Sequence, residues 1–394
     1  MKTVKDISVR GKRVLVRVDF NVPMDEKTGA ISDDSRIKAG LPTIRYLMEQ
    51  GARTIVASHL GRPEGKVVEP LRMGPVARRL SHYAGKSVTA LREAVGPEVE
   101  KAVSAMAGGE VVMLENLRFY PGEEANDPSF AEGLSRLADI YVNDAFAASH
   151  RSHASVVGIT AYLPSAAGFL LEKEVDTLTN LLKCPARPFA ALVGGAKVSD
   201  KLGMMRHIMD SVDFLLVGGG MAATFLKAKS YEVGRSLVEN DKVDVVGDLM
   251  FRARKVGLSL LLPEDVVVVD AAGESAITQV KEIPPGSRIA DIGPRTIDLF
   301  EHALSLSETV FWNGPMGIIE EARFAQGSRH LAEILARIPA TTIIGGGSTV
   351  ELVAAMGLTE KMSFVSTGGG ASLALLSGEP LPGVEALLGK TAVT

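Results

Sequence analysis

Short apolar runs alternate with longer amphipathic stretches along almost the whole chain. The runs Arg13–Val18, Thr54–Ser58, Val111–Leu114, Ile140–Asn143, Phe189–Val193, Phe214–Val217, Leu258–Leu262, Thr309–Trp312 and Thr341–Ile344 read as strands, because β-branched and aliphatic residues dominate them. Between several of them the spacing becomes helical. In Arg36–Gln50, Ile37, Leu41, Ile44 and Met48 share one face, with Ser32, Asp33 and Asp34 near its start as candidate caps. Near-continuous apolar strands separated by helices predict parallel sheets covered on both faces. Ligands of such sheets sit beyond the carboxyl ends of the strands. The residues that follow each run are therefore the place to look for chemistry.

The chain's 394 residues exceed one ordinary core, so two domains are expected. A boundary falls near residues 165–185, where Gly168–Leu182 has the spacing of a connecting helix ahead of Cys184 and Pro185. The net charge of −4 supplies no global basic field, which argues against nucleic acid and anionic membranes as partners. A single cysteine, Cys184, excludes a disulfide framework and a cysteine-ligated cluster, and fits a reducing compartment. The opening MKTVKDISVRGKRVLVRVDF lacks the apolar core of a signal peptide, and no run of about 20 apolar residues follows. The expectation is a soluble, cytoplasmic protein.

The strand ends divide by chemistry. In the first half VLVRV runs into Asp19-Phe20-Asn21, TIVAS into His59-Leu60-Gly61-Arg62, VVMLE into Asn116-Leu117-Arg118, and IYV into Asn143-Asp144 and then His150-Arg151. With Arg36 and His153, these place repeated Arg and His at the same end of consecutive strands, and several guanidinium forks converging there would hold a small polyanion. His150 and His153 have no second ligand pair nearby, so zinc is not expected. In the second half the strand ends carry glycine: Gly194-Gly195-Ala196-Lys197, Gly218-Gly219-Gly220 and Gly345-Gly346-Gly347-Ser348. In GGAKVSDK (194–201) Lys197 and Lys201 are four apart, which predicts one face of an opening helix and a polyphosphate beside its positive end. Gly218–Ala223 fits G-x-G-x-x-A, a weak dinucleotide signal with close packing as the equal alternative. Two apparent P-loops, Gly85-Lys86-Ser87 and Gly389-Lys390-Thr391, fail because Leu80 and Val384 stand where the leading glycine belongs. WNGPMG (312–317) either shapes a nucleoside pocket or forms a buried turn. One half built for a small polyanion and one for a polyphosphate imply phosphoryl transfer. The acceptor side holds only Asp19 as a candidate base, so the pattern leans towards a carboxylate acceptor, which needs none.

VRVDFNVP (16–23), SHLGRP (58–63), LENLRFYPGEE (114–124), YVNDAFAASHRSHAS (141–155), GGAKVSDK, WNGPMG and STGGGASL (366–373) together resemble phosphoglycerate kinases, in the family's order from about Val4 to about Leu388. The resemblance implies two Rossmann-like parallel-sheet α/β domains joined by a helix, with a deep cleft between them. The implied limits are 1–167 for the phosphoglycerate-binding domain, 168–183 for the connecting helix and 184–379 for the nucleotide-binding domain. A tail over about 380–394 would pack back on the first. It implies reversible phosphoryl transfer between 1,3-bisphosphoglycerate and MgADP, giving 3-phosphoglycerate and MgATP, by hinge closure in a monomer. Asp19, Asn21, Arg36, His59, Arg62, Arg118 and Arg151 match the phosphoglycerate positions, and Gly219, Gly293, Glu320, Gly346, Gly347, Ser348 and Thr349 the nucleotide positions. Arg36 and Lys197 would stabilise the transferring phosphoryl group from opposite sides, Lys201 would hold the nucleotide phosphates, and Glu320 the ribose. The family usually places an aspartate for Mg²⁺ where this chain has Ser348, and often a glutamate where it has Ala374. That departure leaves a catalytically weakened, ligand-binding homologue as the alternative, and an oxidoreductase built on Gly218–Ala223 as a more distant one.

Overall fold

The computed structural model describes residues 1–25 and 27–389 and divides into two compact units. Unit 1 comprises Met1–Thr177 and the C-terminal segment from Pro380, and unit 2 comprises Leu178–Glu379. Residues 390–394 of the expected tail, and with them Lys390-Thr391 of the second apparent P-loop, lie outside the described residues.

Unit 1 is built on β1 (Arg13–Arg17), β2 (Arg53–Ala57), β3 (Val88–Ala90), β4 (Val111–Met113), β5 (Ile140–Asn143) and β6 (Ser165–Ala167), in the order β3-β4-β2-β1-β5-β6. All its pairings are parallel. Val14 and Val16 of β1 enter one core cluster while Leu15 enters another with Tyr141, so both faces are covered. That is why these strands read as unbroken apolar runs. Strand order reverses between β1 and β5, and Arg17 is in register with both Ala57 and Asn143. The residues that follow, Asp19, His59 and Asp144, therefore emerge together at the sheet's carboxyl edge. The helix Pro382–Leu387 also belongs to this unit: Gly383 N–H donates to the Ser149 carbonyl at 2.9 Å. A Cβ on Gly383 would stand 2.6 Å from Val156.

Unit 2 carries β7 (Phe189–Val193), β8 (Phe214–Val217), β9 (Ser259–Leu261), β10 (Asp265–Val269), β11 (Ser275–Gln279), β12 (Arg288–Ile292), β13 (Thr309–Asn313), β14 (Thr341–Gly345) and β15 (Phe364–Val365). The order β15-β14-β13-β7-β8-β9 forms a second parallel sheet, reversing between β7 and β13. Asn313 is in register with Val193 and Gly345, so the three glycine-bearing ends are level. Trp312 is fully buried in this sheet's core and its indole N–H donates to the Gly314 carbonyl at 2.8 Å. WNGPMG is thus a buried turn at its tryptophan.

Three departures from the sequence reading have physical causes. The sheet β11-β10-β12 is antiparallel. Only Leu262–Glu264 separate β9 from β10, too few residues for the crossover that a parallel partner requires. The helix Ser35–Glu49 takes Asp34 as its cap position without a side-chain cap bond. The Asp34 carboxylate is engaged instead by Lys38, Arg79 and Tyr83, while Asp33 accepts from Ser35 N–H at 2.8 Å. Finally, residues 194–201 form no helical face. The helix there is Leu202–Ile208, and it begins after both Lys197 and Lys201. Gly195 adopts φ +108°, and Ser199 is drawn away by Glu239, which accepts from its N–H at 3.0 Å and its hydroxyl at 2.6 Å.

Candidate active site

The unit 1 site grows from the ends of β1, β2 and β5. Asp19 is almost buried and receives Arg36 Nη1 at 2.6 Å, with His59 Nδ1 3.9 Å from its other oxygen. Burial alone would raise the Asp19 carboxyl, but the Arg36 and Arg17 guanidinium groups and the Asn21 N–H take it below the ordinary value. Asn21 turns its carboxamide oxygen to Gly61 N–H at 2.8 Å, and Arg118 Nη1 donates to the Gly61 carbonyl at 3.0 Å. Asn21 and Arg118 thereby clamp the loop that carries His59 and Arg62. Arg62 and Arg151 are exposed at the rim; Arg151 Nε meets His150 Nε2 at 3.3 Å. All seven sequence-predicted acceptor residues therefore lie at or beside the carboxyl edge of this one sheet.

Sequence reasoning missed what supports them. Arg17 and Glu123 are wholly buried, 4.0 Å apart. Arg17 Nε donates to Ser155 Oγ at 2.8 Å, and Glu123 accepts from the Ser155 hydroxyl at 2.6 Å and its N–H at 3.0 Å. Arg17 Nη2 lies 3.2 Å from His59 Nδ1. A guanidinium can only donate, so Nδ1 accepts and a neutral His59 carries its proton on Nε2. Burial, and then the neighbouring guanidinium groups, hold the His59 ring well below its usual pKa despite Asp19. The same causes take His153 down to about 4 and lower His150. At neutral pH all three are uncharged, so the formal cations are arginines. The one visible signal for Arg17 was a charged residue inside an apolar strand run.

The unit 2 site is made of backbone. A Cβ on Gly194 would stand 2.2 Å from Pro315 O, one on Gly219 2.7 Å from both Gly195 N and Pro315 O, and one on Gly314 2.1 Å from Gly194 O. The glycines of three strand ends are thus needed for one another, which accounts for Gly219 without a dinucleotide. Lys201 is half-buried, its ammonium bonded to the Asn313 carboxamide oxygen, and among the described residues it makes no ion pair. Burial lowers its pKa. Lys197 is exposed on the same loop.

Beside this loop lies a cavity of about 500 Å³, walled by Gly220, Glu320 and Ser348 together with Arg235 and Arg288. Gly346 supplies the turn into the helix Gly347–Ala355 at φ +84°, a conformation natural to glycine. Ser348 is exposed at that helix start. Thr349 is buried and accepts from Gly314 N–H at 2.8 Å, so it braces the turn instead of lining the cavity. Gly293 also stands outside the cavity wall: the space its Cβ would fill is taken by the Asp265 carboxylate, 2.3 Å away. Arg235 and Arg288 were not anticipated. Among the described residues no three His, Cys, Asp or Glu side chains group to hold a metal. Ser348 offers one hydroxyl oxygen, a donor set suited to a Mg²⁺ that brings phosphate oxygens and water with it.

The sequence matches the family described as Phosphoglycerate kinase over residues 4–379. It is 51% identical over 391 residues to the Phosphoglycerate kinase of Moorella thermoacetica, covering 98% of this chain and 99% of that one. To that of Pelotomaculum thermopropionicum it is 52% identical over 392 residues, with 99% of each covered. The solved structure of phosphoglycerate kinase from Coxiella burnetii superposes with a TM-score of 0.88 at 38% identity, covering 99% of each chain. That from Pyrococcus horikoshii gives 0.84 at 33% identity, covering 98% of each.

Proposed function

The chain belongs to the phosphoglycerate kinase family, and from that premise we propose how its two strand-end sites divide the family's reaction. The protein is a kinase that moves a phosphoryl group reversibly between 1,3-bisphosphoglycerate and ADP, giving 3-phosphoglycerate and ATP. In our reading the acceptor binds at the carboxyl edge of unit 1. Arg62, Arg118 and Arg151 take its anionic groups, Asn21 holds the loop under it, and His59 donates from Nε2. Asp19 orients Arg36 through its 2.6 Å pair and takes no proton. Asp19 is already ionised and engaged, and the attacking carboxylate of 3-phosphoglycerate has no proton to give up. The nucleotide occupies the cavity of unit 2, with Glu320 towards the ribose, Lys201 on the phosphates, and Gly346, Gly347 and Ser348 presenting the start of a helix to them. Gly219, Gly293 and Thr349 shape this site from behind. Mg²⁺ would arrive with the nucleotide and supply charge neutralisation, with Ser348 as its protein-side oxygen.

Catalysis is then positioning and electrostatic stabilisation, with Arg36 and Lys197 meeting the transferring group from opposite sides. Such transfer requires the two substrates in line, so ligand-driven closure is part of the proposal. X-ray scattering with both substrates should give a smaller radius of gyration than the apo protein; an unchanged radius refutes closure. The observation that carries the whole reading is Lys201, a half-buried ammonium bonded to a neutral carboxamide oxygen, in a chain that matches the family end to end. A coupled assay with 3-phosphoglycerate and MgATP tests it. Turnover should be well above background and should fall by about 10² or more in Arg36→Met and Lys197→Met. Background turnover in the wild type would leave only a ligand-binding role. The reaction's substrates are small molecules, and among the described residues no helix is long and apolar enough to cross a membrane.

A further inference from the structure

A second cavity, of about 570 Å³, lies at the free edge of the unit 2 parallel sheet, where β9 pairs with β8 alone. It shares no lining residue with the nucleotide cavity. The apolar part of its lining, its floor, is formed by Leu258, Leu260, Leu261 and Leu262 around β9 and by Leu299. Its rim is cationic. Lys229 follows the helix Ala222–Ala228, Arg254 lies on Val243–Lys255, Lys281 follows β11, and Arg295 opens Pro294–Ser305. Glu264 is the one carboxylate in the wall, so the site carries +4 − 1 = +3 in a chain whose net charge is −4.

These cations differ from their neighbours. Arg252, two residues from Arg254, pairs with Asp210 at 2.8 Å, and Lys227, two residues from Lys229, pairs with Glu232 at 3.4 Å. Among the described residues Lys229, Arg254, Lys281 and Arg295 make no ion pair, and Lys229 stands over the Tyr231 ring at 5.1 Å. Solvated surface cations are ordinary; four unpaired ones, from four separate segments around one apolar floor, are not. The volume suits a small molecule. We infer that this cavity binds a small amphiphilic anion: an apolar body that covers the leucines, bearing a carboxylate or phosphate that meets the four-cation rim. The inference is independent of the roles assigned above to the nucleotide cavity.

Anilinonaphthalene sulfonate, whose fluorescence rises in an apolar site, is the probe. Titrated into the full-length protein with saturating ADP, it should bind at one saturable site. Binding should weaken with rising salt, and octanoate should displace the probe where acetate does not. A phosphate-selective site would reverse that last arm: inorganic phosphate would displace the probe and octanoate would not, which overturns the amphiphilic assignment. The double variant Arg254→Glu/Lys281→Glu should bind at least tenfold more weakly, and Lys281→Gln more weakly by a smaller factor. Arg252→Glu, on the same helix but outside the cavity, should bind as wild type. Both charged positions are exposed, so thermal midpoint and kinase turnover should hold in each variant. Equal affinity in the double variant, or absence of saturable binding with ADP present, overturns the inference.

Discussion

Replacing Asp144 by asparagine should alter how stability depends on pH. Asp144 follows β5 and is fully buried. Its Oδ1 accepts from Leu170 N–H at 2.8 Å and Leu171 N–H at 3.2 Å, at the start of the helix Phe169–Lys183. The Thr43 hydroxyl, these two N–H donors and a helix N-terminus favour the anion, while burial favours the acid. Burial wins, and the carboxyl is pushed from 3.8 up to about 7; Oδ2, which has no hydrogen-bond partner, is where the proton would sit. The sign follows from the direction. With a folded pKa above the unfolded one, stability contributed by this group is fully present below pH 3.8 and is lost as pH rises to about 7. The interval between the two values, at 1.36 kcal/mol per pH unit, makes that loss about 4 kcal/mol at most. An asparagine keeps an acceptor for Leu170 and Leu171 and has no charge to bury, so Asp144→Asn should escape the loss. Between about pH 4 and pH 8 the unfolding free energy of the variant, relative to wild type, should improve by a few kcal/mol. Urea denaturation by circular dichroism reads this. Trp312, the only tryptophan, lies in unit 2 and separates that unit's transition by fluorescence. A variant–wild-type gap that is the same at both ends of the range would mean that the helix donors keep Asp144 ionised, and would refute the argument.

Ser348→Asp should lower the Mg²⁺ concentration needed for half-maximal turnover by several-fold, because a carboxylate adds the charge that a hydroxyl lacks. Superimposable Mg²⁺ titrations would show that other groups already compensate. Glu123→Ala should destabilise unit 1 by about 3–5 kcal/mol, since it strands the buried Arg17 without a counter-charge. Adding Arg17→Met should recover part of that loss in thermal denaturation, and a single-variant cost below about 1 kcal/mol would contradict the pairing.

The strands that carry the sites were legible in the sequence because a strand buried on both faces cannot vary its polarity. β1, β2, β5, β7, β13 and β14 follow the apolar runs to within about a residue. β3, β6 and β15 are two or three residues long, too short to show a period. The placement of the residues proposed for the acceptor was legible for a topological reason: in a doubly wound sheet, position just after a strand is position at the carboxyl edge. What joins those residues was not. Arg17 reaches Ser155 across 138 positions and His59 across 42, and no local pattern encodes either bond. The lysine spacing of residues 197 and 201 misled because a four-residue interval means one face only where the chain is helical, and here it is a loop.

Glycine is the deepest ambiguity, and its resolution is specific. Three buried aspartates each lie against the first turn of a helix: Asp144 at Phe169–Lys183, Asp265 at Pro294–Ser305 and Asp291 at Gln326–Leu335. Each has a glycine whose Cβ would come within about 2.4 Å of the carboxylate, namely Gly168 at 2.2 Å, Gly293 at 2.3 Å and Gly317 at 2.4 Å. A missing side chain after a strand can leave room for a phosphate or for the protein's own anion, and the two are identical in sequence. At Gly293 the protein's own carboxylate fills the space. At Gly346 no such atom intrudes, since the nearest neighbours belong to the Asn313 carboxamide at 3.1 Å, and the positive φ itself demands glycine. Of the glycines that follow the parallel strands of unit 2, Gly195, which has nothing within 4 Å of its Cβ position, and the 346 turn are therefore the ones whose backbone is open to an incoming anion. Ser348 stands two residues beyond Gly346, with the Mg²⁺ dependence of turnover as its readout.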